Sequence, residues 1–328
     1  MKLMKEKVFS GLQPSGEIHI GNYLGAIQNW VALMEKYHCL FCVVDLHAIT
    51  IKYDTKSFQD RIWNAIFDKI ACGIDPEKSL LFIQSHVPEH TELAWILSSV
   101  TGMGDLERMT QYKDKSKQHK ENINAGLFTY PVLQTADIVL YKATRVPVGH
   151  DQVQHIELAR EIVRSFNNRY GEVFPEPKEL LSEAKRIMGL DGKNKMSKSM
   201  NNYISLMEDQ DSIKKKVMSA VTDENRQRRS DPGDPKICNI FALHQFFTPA
   251  TRIAEIDSGC RKAEIGCVDC KKIFIENLWA TLEPIQLRRR DIESHQDKTK
   301  ELIIENGKKC RDMAKETMLE VKEHMGLL

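Results

Sequence analysis

The sequence predicts an α/β fold whose N-terminal part is a doubly wound parallel sheet and whose C-terminal part is mostly helical. Three observations predict it. Short, continuously apolar runs alternate with stretches in which apolar residues recur every three or four positions, a glycine- and proline-rich turn follows the first such run, and beyond Met200 only the helical period remains. At 328 residues the chain exceeds the length at which a single core stops growing, so two domains are expected, residues 1–192 and 193–328.

Residues 7–10 form a short apolar strand that runs into the turn 11–16, after which Leu24, Ile27, Val31 and Met34 recur at helical spacing. Residues 40–46 (LFCVVDL) have the unbroken apolar character of a strand buried on both faces, and Phe58, Ile62, Ile66 and Ile70 follow at i, i+4. Residues 80–84 (LLFIQ) are a third buried strand, followed by Pro88, a capping candidate at Thr91 and an apolar helix through Trp95 and Leu97. Such alternation is what right-handed crossovers between parallel strands require. Residues 108–120 are polar and basic and read as a connector. Residues 146–149 are a further strand ending in a turn, and residues 151–170 an amphipathic helix closed by Gly171. The sheet domain is expected to end near Leu190. Helices are then expected over residues 213–221, 274–287 and 302–325, with no internal repeat.

Composition narrows the functional classes. A hydrophobic fraction of 41% with 28% charged residues is ordinary for a soluble globular protein, and no apolar run is long enough for a membrane span. The first nine residues carry lysines without an apolar core, so they do not read as a signal peptide, and a cytoplasmic location is expected. A net charge of +1 gives no global basic face of the kind that binds DNA, so any RNA contact must be local. Eight cysteines in an unsecreted chain are expected to be free thiols or metal ligands.

Two motifs carry chemistry. Gln13, Pro14, Ser15 and Gly16, then His19, Ile20, Gly21 and Asn22, lie between the first strand and the first helix, where an open parallel sheet binds ligands and a helix N-terminus offers N–H groups to phosphate. By itself such a loop is equally what a plain strand-to-helix turn uses. Some 175 residues further on, Lys195, Met196, Ser197, Lys198 and Ser199 place two ammonium groups around one turn. A lysine- and serine-rich loop alone is usually a solvated surface. Together with the first motif it fits a site where charge builds on a departing pyrophosphate and paired lysines neutralise it.

These residues resemble the class I aminoacyl-tRNA synthetases, whose HIGH and KMSKS signatures appear here as residues 19–22 and 195–199. The closer resemblance is to the bacterial tryptophanyl-tRNA synthetases, and it extends over nearly the whole chain through residues 9–16 (FSGLQPSG), 44–50 (VDLHAIT), 126–137 (GLFTYPVLQTAD) and 146–158 (VPVGHDQVQHIEL). The resemblance implies a Rossmann-like catalytic domain and a helical anticodon-binding domain. It implies ATP with Mg2+, L-tryptophan and tRNA(Trp) as the substrate set, and a homodimer. A tyrosyl-tRNA synthetase and a non-catalytic RNA-binding relative of the same fold are the alternatives.

Residue by residue, the resemblance assigns Gln13, Pro14, Ser15, Gly21, Asn22, Gly149, His150, Asp151, Ile187 and residues 195–199 to ATP. It gives Asp137 the role of accepting the indole N–H, with Phe9, Val44, His47, Val146 and Val148 as pocket walls and Tyr130 and Gln152 holding the α-ammonium group. Lys195, Lys198, His19, Asn22 and Lys115 are the catalytic candidates. A buried acceptor of this kind rejects side chains that lack the donor, as phenylalanine does. Without the resemblance, Asp137 would as readily cap a helix, and His47 would be a satisfied core histidine. Gln134, Thr135 and His150 depart from the family pattern, which carries Met, Ala and an acidic residue there.

Cys238, Cys260, Cys267 and Cys270 form a C-x21-C-x6-C-x2-C set whose thiolates suit zinc or an iron-sulfur cluster. The single C-x2-C with two loosely spaced partners favours [4Fe-4S], with zinc as the alternative and no metal still open. Basic groups at residues 214–216, 226–229 and 288–290 can position phosphates or simply be solvated.

Overall fold

The structure is a computed structural model that describes residues 5–14, 16–110, 123–181 and 187–328. Among these, five strands form one parallel sheet: β1 (Lys7–Leu12), β2 (His38–Val43), β3 (Leu80–Ile83), β4 (Arg145–Val148) and β5 (Lys178–Leu181). Their order is β3-β2-β1-β4-β5. The chain therefore winds outward from β1 to β3 and crosses back to β4 on the other side of β1. The reversal between β1 and β4, where Val8 pairs with Arg145, is the switch point at which such sheets open a crevice beyond their strand ends.

The helices are α1 (Ile20–Asn22), α2 (Gln28–Met34), α3 (Asp45–Ala48), α4 (Phe58–Ala71), α5 (Glu89–Ser98), α6 (Met103–Arg108), α7 (Ala125–Val139), α8 (Val153–Tyr170), α9 (Gln210–Ser219), α10 (Asn239–Phe247), α11 (Ala250–Arg261), α12 (Cys267–Ser294) and α13 (Gln296–Met325). A π-helical turn, Tyr23–Ile27, joins α1 to α2. Central strand β2 is buried at every position after His38, which explains why its sequence shows no polar alternation.

Several boundaries differ from expectation. Strand β2 stops at Val43 because Asp45 takes the chain into α3, its Oδ1 accepting the N–H groups of Leu46 at 3.1 Å and Ser85 at 3.0 Å. Thr91 is not a cap: α5 has already begun at Glu89, and the Thr91 hydroxyl donates back to the Pro88 carbonyl at 2.8 Å. Residues 150–152 form a 3-10 turn before α8, which ends as expected at Gly171 with φ of 103°. Strand β5 was not foreseen. The connector expected over residues 108–120 lies mostly outside the described residues.

The chain divides into two compact units. Unit 1 comprises Met1–Gly16, Trp30–Glu183 and His295–Leu328; unit 2 comprises Glu17–Asn29 and Ala184–Ser294. The division is not a single cut after residue 192. Helix α13, expected in the C-terminal domain, belongs to unit 1, where Cys310, Ala314, Met318 and Val321 join the core that includes Phe9, Phe82 and Tyr141. Ion pairs fasten α13 at its rim: Arg311 to Glu89 at 3.2 Å, Lys322 to Glu92 at 2.7 Å and Glu320 to Lys142 at 2.6 Å.

Conversely, residues 17–29 belong to unit 2. The Ile20 N–H donates to Ile204 O at 3.0 Å and the Leu206 N–H to Ile18 O at 2.9 Å, which ties the start of α1 to the segment after the lysine loop. Ile213, Val217, Ile240, Leu243, Phe274, Leu278 and Leu282, all buried, lie on the helices of this unit.

Candidate active site

In unit 1, Gln13 and Pro14 follow β1, while Gly149, His150, Asp151 and Gln152 follow its neighbour β4, so the switch point brings these two loops to the same end of the sheet. A side chain at Gly149 would place its Cβ 2.8 Å from Asp151 Oδ1, and the Gln152 amide donates to Asp151 Oδ2 at 3.1 Å. At the end of β1, a Cβ on Gly11 would lie 2.7 Å from Val44 Cγ1, so the packing of the Val44 side chain against the strand leaves no room for a side chain here. Ser15 and Lys115 lie outside the described residues.

Behind these loops is a buried polar cluster on α7. Asp137, 1% exposed, accepts from Gln84 Nε2 at 2.7 Å and His90 Nδ1 at 2.7 Å on Oδ1, and from His47 Nε2 at 2.9 Å on Oδ2. Burial pushes its carboxyl toward protonation, but the neighbouring His90 and the hydrogen bonds from His47 and His90 outweigh it and hold the group far below the usual carboxylate range. About two turns earlier, the Tyr130 hydroxyl meets His155 Nε2 at 2.8 Å, and burial raises its pKa, so the phenol stays protonated. Phe9, Val44 and Val146 are buried, whereas Val148 and Gln152 are half-buried. The departure at Thr135 is absorbed within α7, since its hydroxyl donates to the Pro131 carbonyl at 2.9 Å.

In unit 2 the two signature segments are neighbours. A Cβ at Gly21 would sit 3.0 Å from the His19 ring and 3.4 Å from Met196 Cβ. The Asn22 side chain accepts the His19 N–H at 3.2 Å, closing the first turn of α1. The lysine loop itself is pinned: Met196 N–H donates to Ile187 O at 2.9 Å, Ser197 N–H to Asn202 Oδ1 at 2.8 Å, and Asn202 Nδ2 to Asp191 Oδ2 at 3.0 Å. Buried Met196 anchors the loop and Lys195 is exposed.

Burial, reinforced by Lys198 and Lys195, pushes the His19 imidazole down from 6.5 to about 4. It is therefore neutral at physiological pH and can bond a phosphate oxygen only as a hydrogen-bond donor. Between about 6.5 and 4 the unfolded chain protonates this histidine and the folded one does not, so stability falls as pH falls through that window. Thermal melts across it should show a loss of roughly 1–2 kcal/mol, after allowance for solvent screening, that His19→Asn removes.

The family described as tRNA synthetases class I (W and Y) matches residues 2–283. The chain belongs to this family. The Tryptophan–tRNA ligase of Deinococcus radiodurans is 48% identical over 98% of this chain and 99% of its own length. That of Thermotoga maritima is 43% identical over 98% and 99%. The crystal structure of tryptophanyl-tRNA synthetase from Campylobacter jejuni complexed with ADP and tryptophan superposes with a TM-score of 0.89 at 37% identity, covering 98% of this chain and 99% of that one.

As a class I synthetase of this group, the chain has one further feature, in unit 2. Cys238, Cys260, Cys267 and Cys270 line one cavity together with Arg226, Thr222, Asp223 and the apolar Phe241, Ile256 and Ile265. The Arg226 guanidinium lies 3.7 Å from Cys260 Sγ and 4.0 Å from Cys267 Sγ. Burial pushes the Cys270 thiol up to about 12 and raises Cys238 and Cys260. Among the described residues, no group of three or more His, Cys, Asp or Glu side chains is placed to hold a metal, so neither the zinc nor the iron-sulfur expectation gains support from the arrangement of these thiols. Cys39, Cys42, Cys72 and Cys310 are buried in unit 1.

Gln84, His90, Tyr141 and His155 were missed in the sequence. The available signal was a glutamine ending an apolar strand run and a histidine at the second position of the helix that follows, polar groups that a buried position tolerates only when bonded.

Proposed function

We infer that this chain is a tryptophan–tRNA ligase, which adenylates L-tryptophan with ATP and transfers the tryptophanyl group to the 3′ end of tRNA(Trp), releasing AMP and pyrophosphate. Asp137 carries the choice of amino acid: an ionised acceptor shut away from water among Gln84, His90 and His47 favours a ligand that brings one more N–H donor on an apolar ring. Phe9, Val44, Val146 and Val148 supply the apolar walls for that ring, and Tyr130 and Gln152 hold the α-ammonium group.

For ATP, the loops after β1 and β4 provide Gln13, Pro14, Ser15, Gly149, His150 and Asp151. Unit 2 provides His19, Gly21, Asn22, Ile187 and residues 195–199, and Lys115 is a further phosphate ligand. The tryptophan carboxylate attacks the α-phosphate in line and pyrophosphate departs, its developing charge neutralised by Lys195 and Lys198 and by the Mg2+ that accompanies ATP as part of the substrate. The terminal ribose hydroxyl of tRNA then displaces AMP from the acyl group. Neither step needs a covalent enzyme intermediate. Tryptophan-dependent exchange of labelled pyrophosphate into ATP tests the reading, and exchange supported better by tyrosine, or none from folded protein, overturns it.

Residues 193–294 supply the anticodon-binding surface in this reading. Lys216, Arg229 and Arg289 are committed to Glu208, Asp269 and Glu293, whereas the exposed Lys214, Lys215, Arg228 and Arg290 form no ion pair among the described residues and are the better candidates for phosphate contacts. The cysteine cavity is read as the site of a [4Fe-4S] cluster, with zinc the alternative. Four cysteines, a single C-x2-C with two loosely spaced partners, line that cavity with a guanidinium beside them to offset thiolate charge. Anaerobically purified protein should absorb in the visible and lose that absorbance in Cys267→Ser; a colourless sample with stoichiometric zinc sinks the cluster. A homodimer is supported by apolar side chains exposed on unit 1, Trp95 at 80% and Met103 at 64% foremost.

A further inference from the structure

The hydrogen bonds around Asp137 leave a specific remainder. An ionised carboxylate has about four acceptor sites. Gln84 and His90 fill two on Oδ1 and His47 fills one on Oδ2, which among the described residues leaves one, on Oδ2. The donors are themselves held in orientation. The Leu46 N–H donates to Gln84 Oε1 at 3.1 Å, so the oxygen of that amide faces Leu46 and its NH2 faces Asp137. His90, fully buried, has Nδ1 against an acceptor-only carboxylate and must carry its proton there. Its other ring nitrogen, Nε2, lies 2.8 Å from the Tyr141 hydroxyl. Burial holds the Tyr141 phenol well above its usual range, so it remains a donor. Phe82 packs on both rings, at 6.1 Å from His90 and 5.7 Å from Tyr141, and Phe9 stacks on Tyr141 at 5.9 Å.

We propose that His90, held in orientation by Tyr141, is a positioning residue for amino-acid selection: it keeps Asp137 turned so that the vacant acceptor site on Oδ2 is the one that meets the indole N–H. This rests on the tryptophan reading above. Without the Tyr141 hydroxyl, Nε2 loses its fixed partner and the ring is free to turn, which swings Nδ1 away from Oδ1 and lets the carboxylate rotate. Without His90, Oδ1 itself competes for the indole donor and the selecting geometry is lost.

The test is pyrophosphate exchange measured with L-tryptophan and with its benzothiophene analogue, in which sulfur replaces the N–H. The ratio of the two kcat/KM values reports the hydrogen bond alone. His90→Leu should lower that ratio by roughly 100-fold and Tyr141→Phe by roughly tenfold, with KM for ATP unchanged. His90→Asn, whose amide nitrogen occupies the Nδ1 position, should restore most of it. A merely structural role would weaken both amino acids and ATP alike and leave the ratio constant, and a constant ratio in these variants overturns the proposal. If His90→Leu does not fold, Tyr141→Phe, which removes one oxygen, decides. Wild-type protein that exchanges with neither amino acid refutes the tryptophan reading itself, a distinct outcome.

Discussion

Lys195→Ala slows tryptophan-dependent pyrophosphate exchange by about 10²- to 10³-fold, the scale on which one preorganised charge at a developing anion contributes. The side chain is exposed and forms no ion pair among the described residues, so its removal leaves stability within about 0.5 kcal/mol. The loop keeps its shape, because its fixed points are the buried Met196 and the bonds from Asn202 to Ser197 and Asp191. The loss therefore falls on kcat, since pyrophosphate carries its extra charge only as the bond to the α-phosphate breaks. Lys195→Arg retains the charge and recovers part of the rate. Steady-state exchange kinetics and a thermal melt on the same preparation check both halves, and an unaltered rate removes Lys195 from the mechanism.

Asp137→Asn is the second large effect, and it acts on both recognition and stability. The substitution replaces one acceptor oxygen by an NH2 in a pocket that already points three donors at this side chain, so at least one buried donor loses its partner. We expect kcat/KM for tryptophan to fall by about 10³-fold or more, with KM for ATP little changed, and stability at neutral pH to fall by about 1–3 kcal/mol. The linkage is opposite in kind to an elevated group. The folded carboxyl titrates far below 3.8, so its stabilisation is complete above that value and disappears as pH drops through the folded pKa. Exchange kinetics and denaturant titrations of the two proteins measure these terms, and an unchanged KM for tryptophan contradicts the role of Asp137.

The alternation of sheet and helix was legible because β2 and β3 are buried on both faces and cannot be written with polar residues. Strand β5 was not legible, because an edge strand of sequence KELL offers two leucines and no periodicity that distinguishes it from a loop. The signature motifs marked the lysine loop and the first helix as belonging together, and Gly21 lies against Met196 in the fold. What pattern alone did not disclose is partnership. The apolar stripe of α13 announces a helix but not the core it enters, and His90 looks like any histidine near a helix start until Asp137, 47 residues away, is placed beside it.

That last helix has a consequence for biogenesis. Cys310, Ala314, Met318 and Val321 complete a core whose other members, Phe9 and Leu40 among them, leave the ribosome more than two hundred residues earlier. A nascent chain thus waits through translation of residues 184–294 with that surface uncovered, so the folding of unit 1 depends on a helix made late, and a chain stalled before it is a substrate for chaperones and proteases.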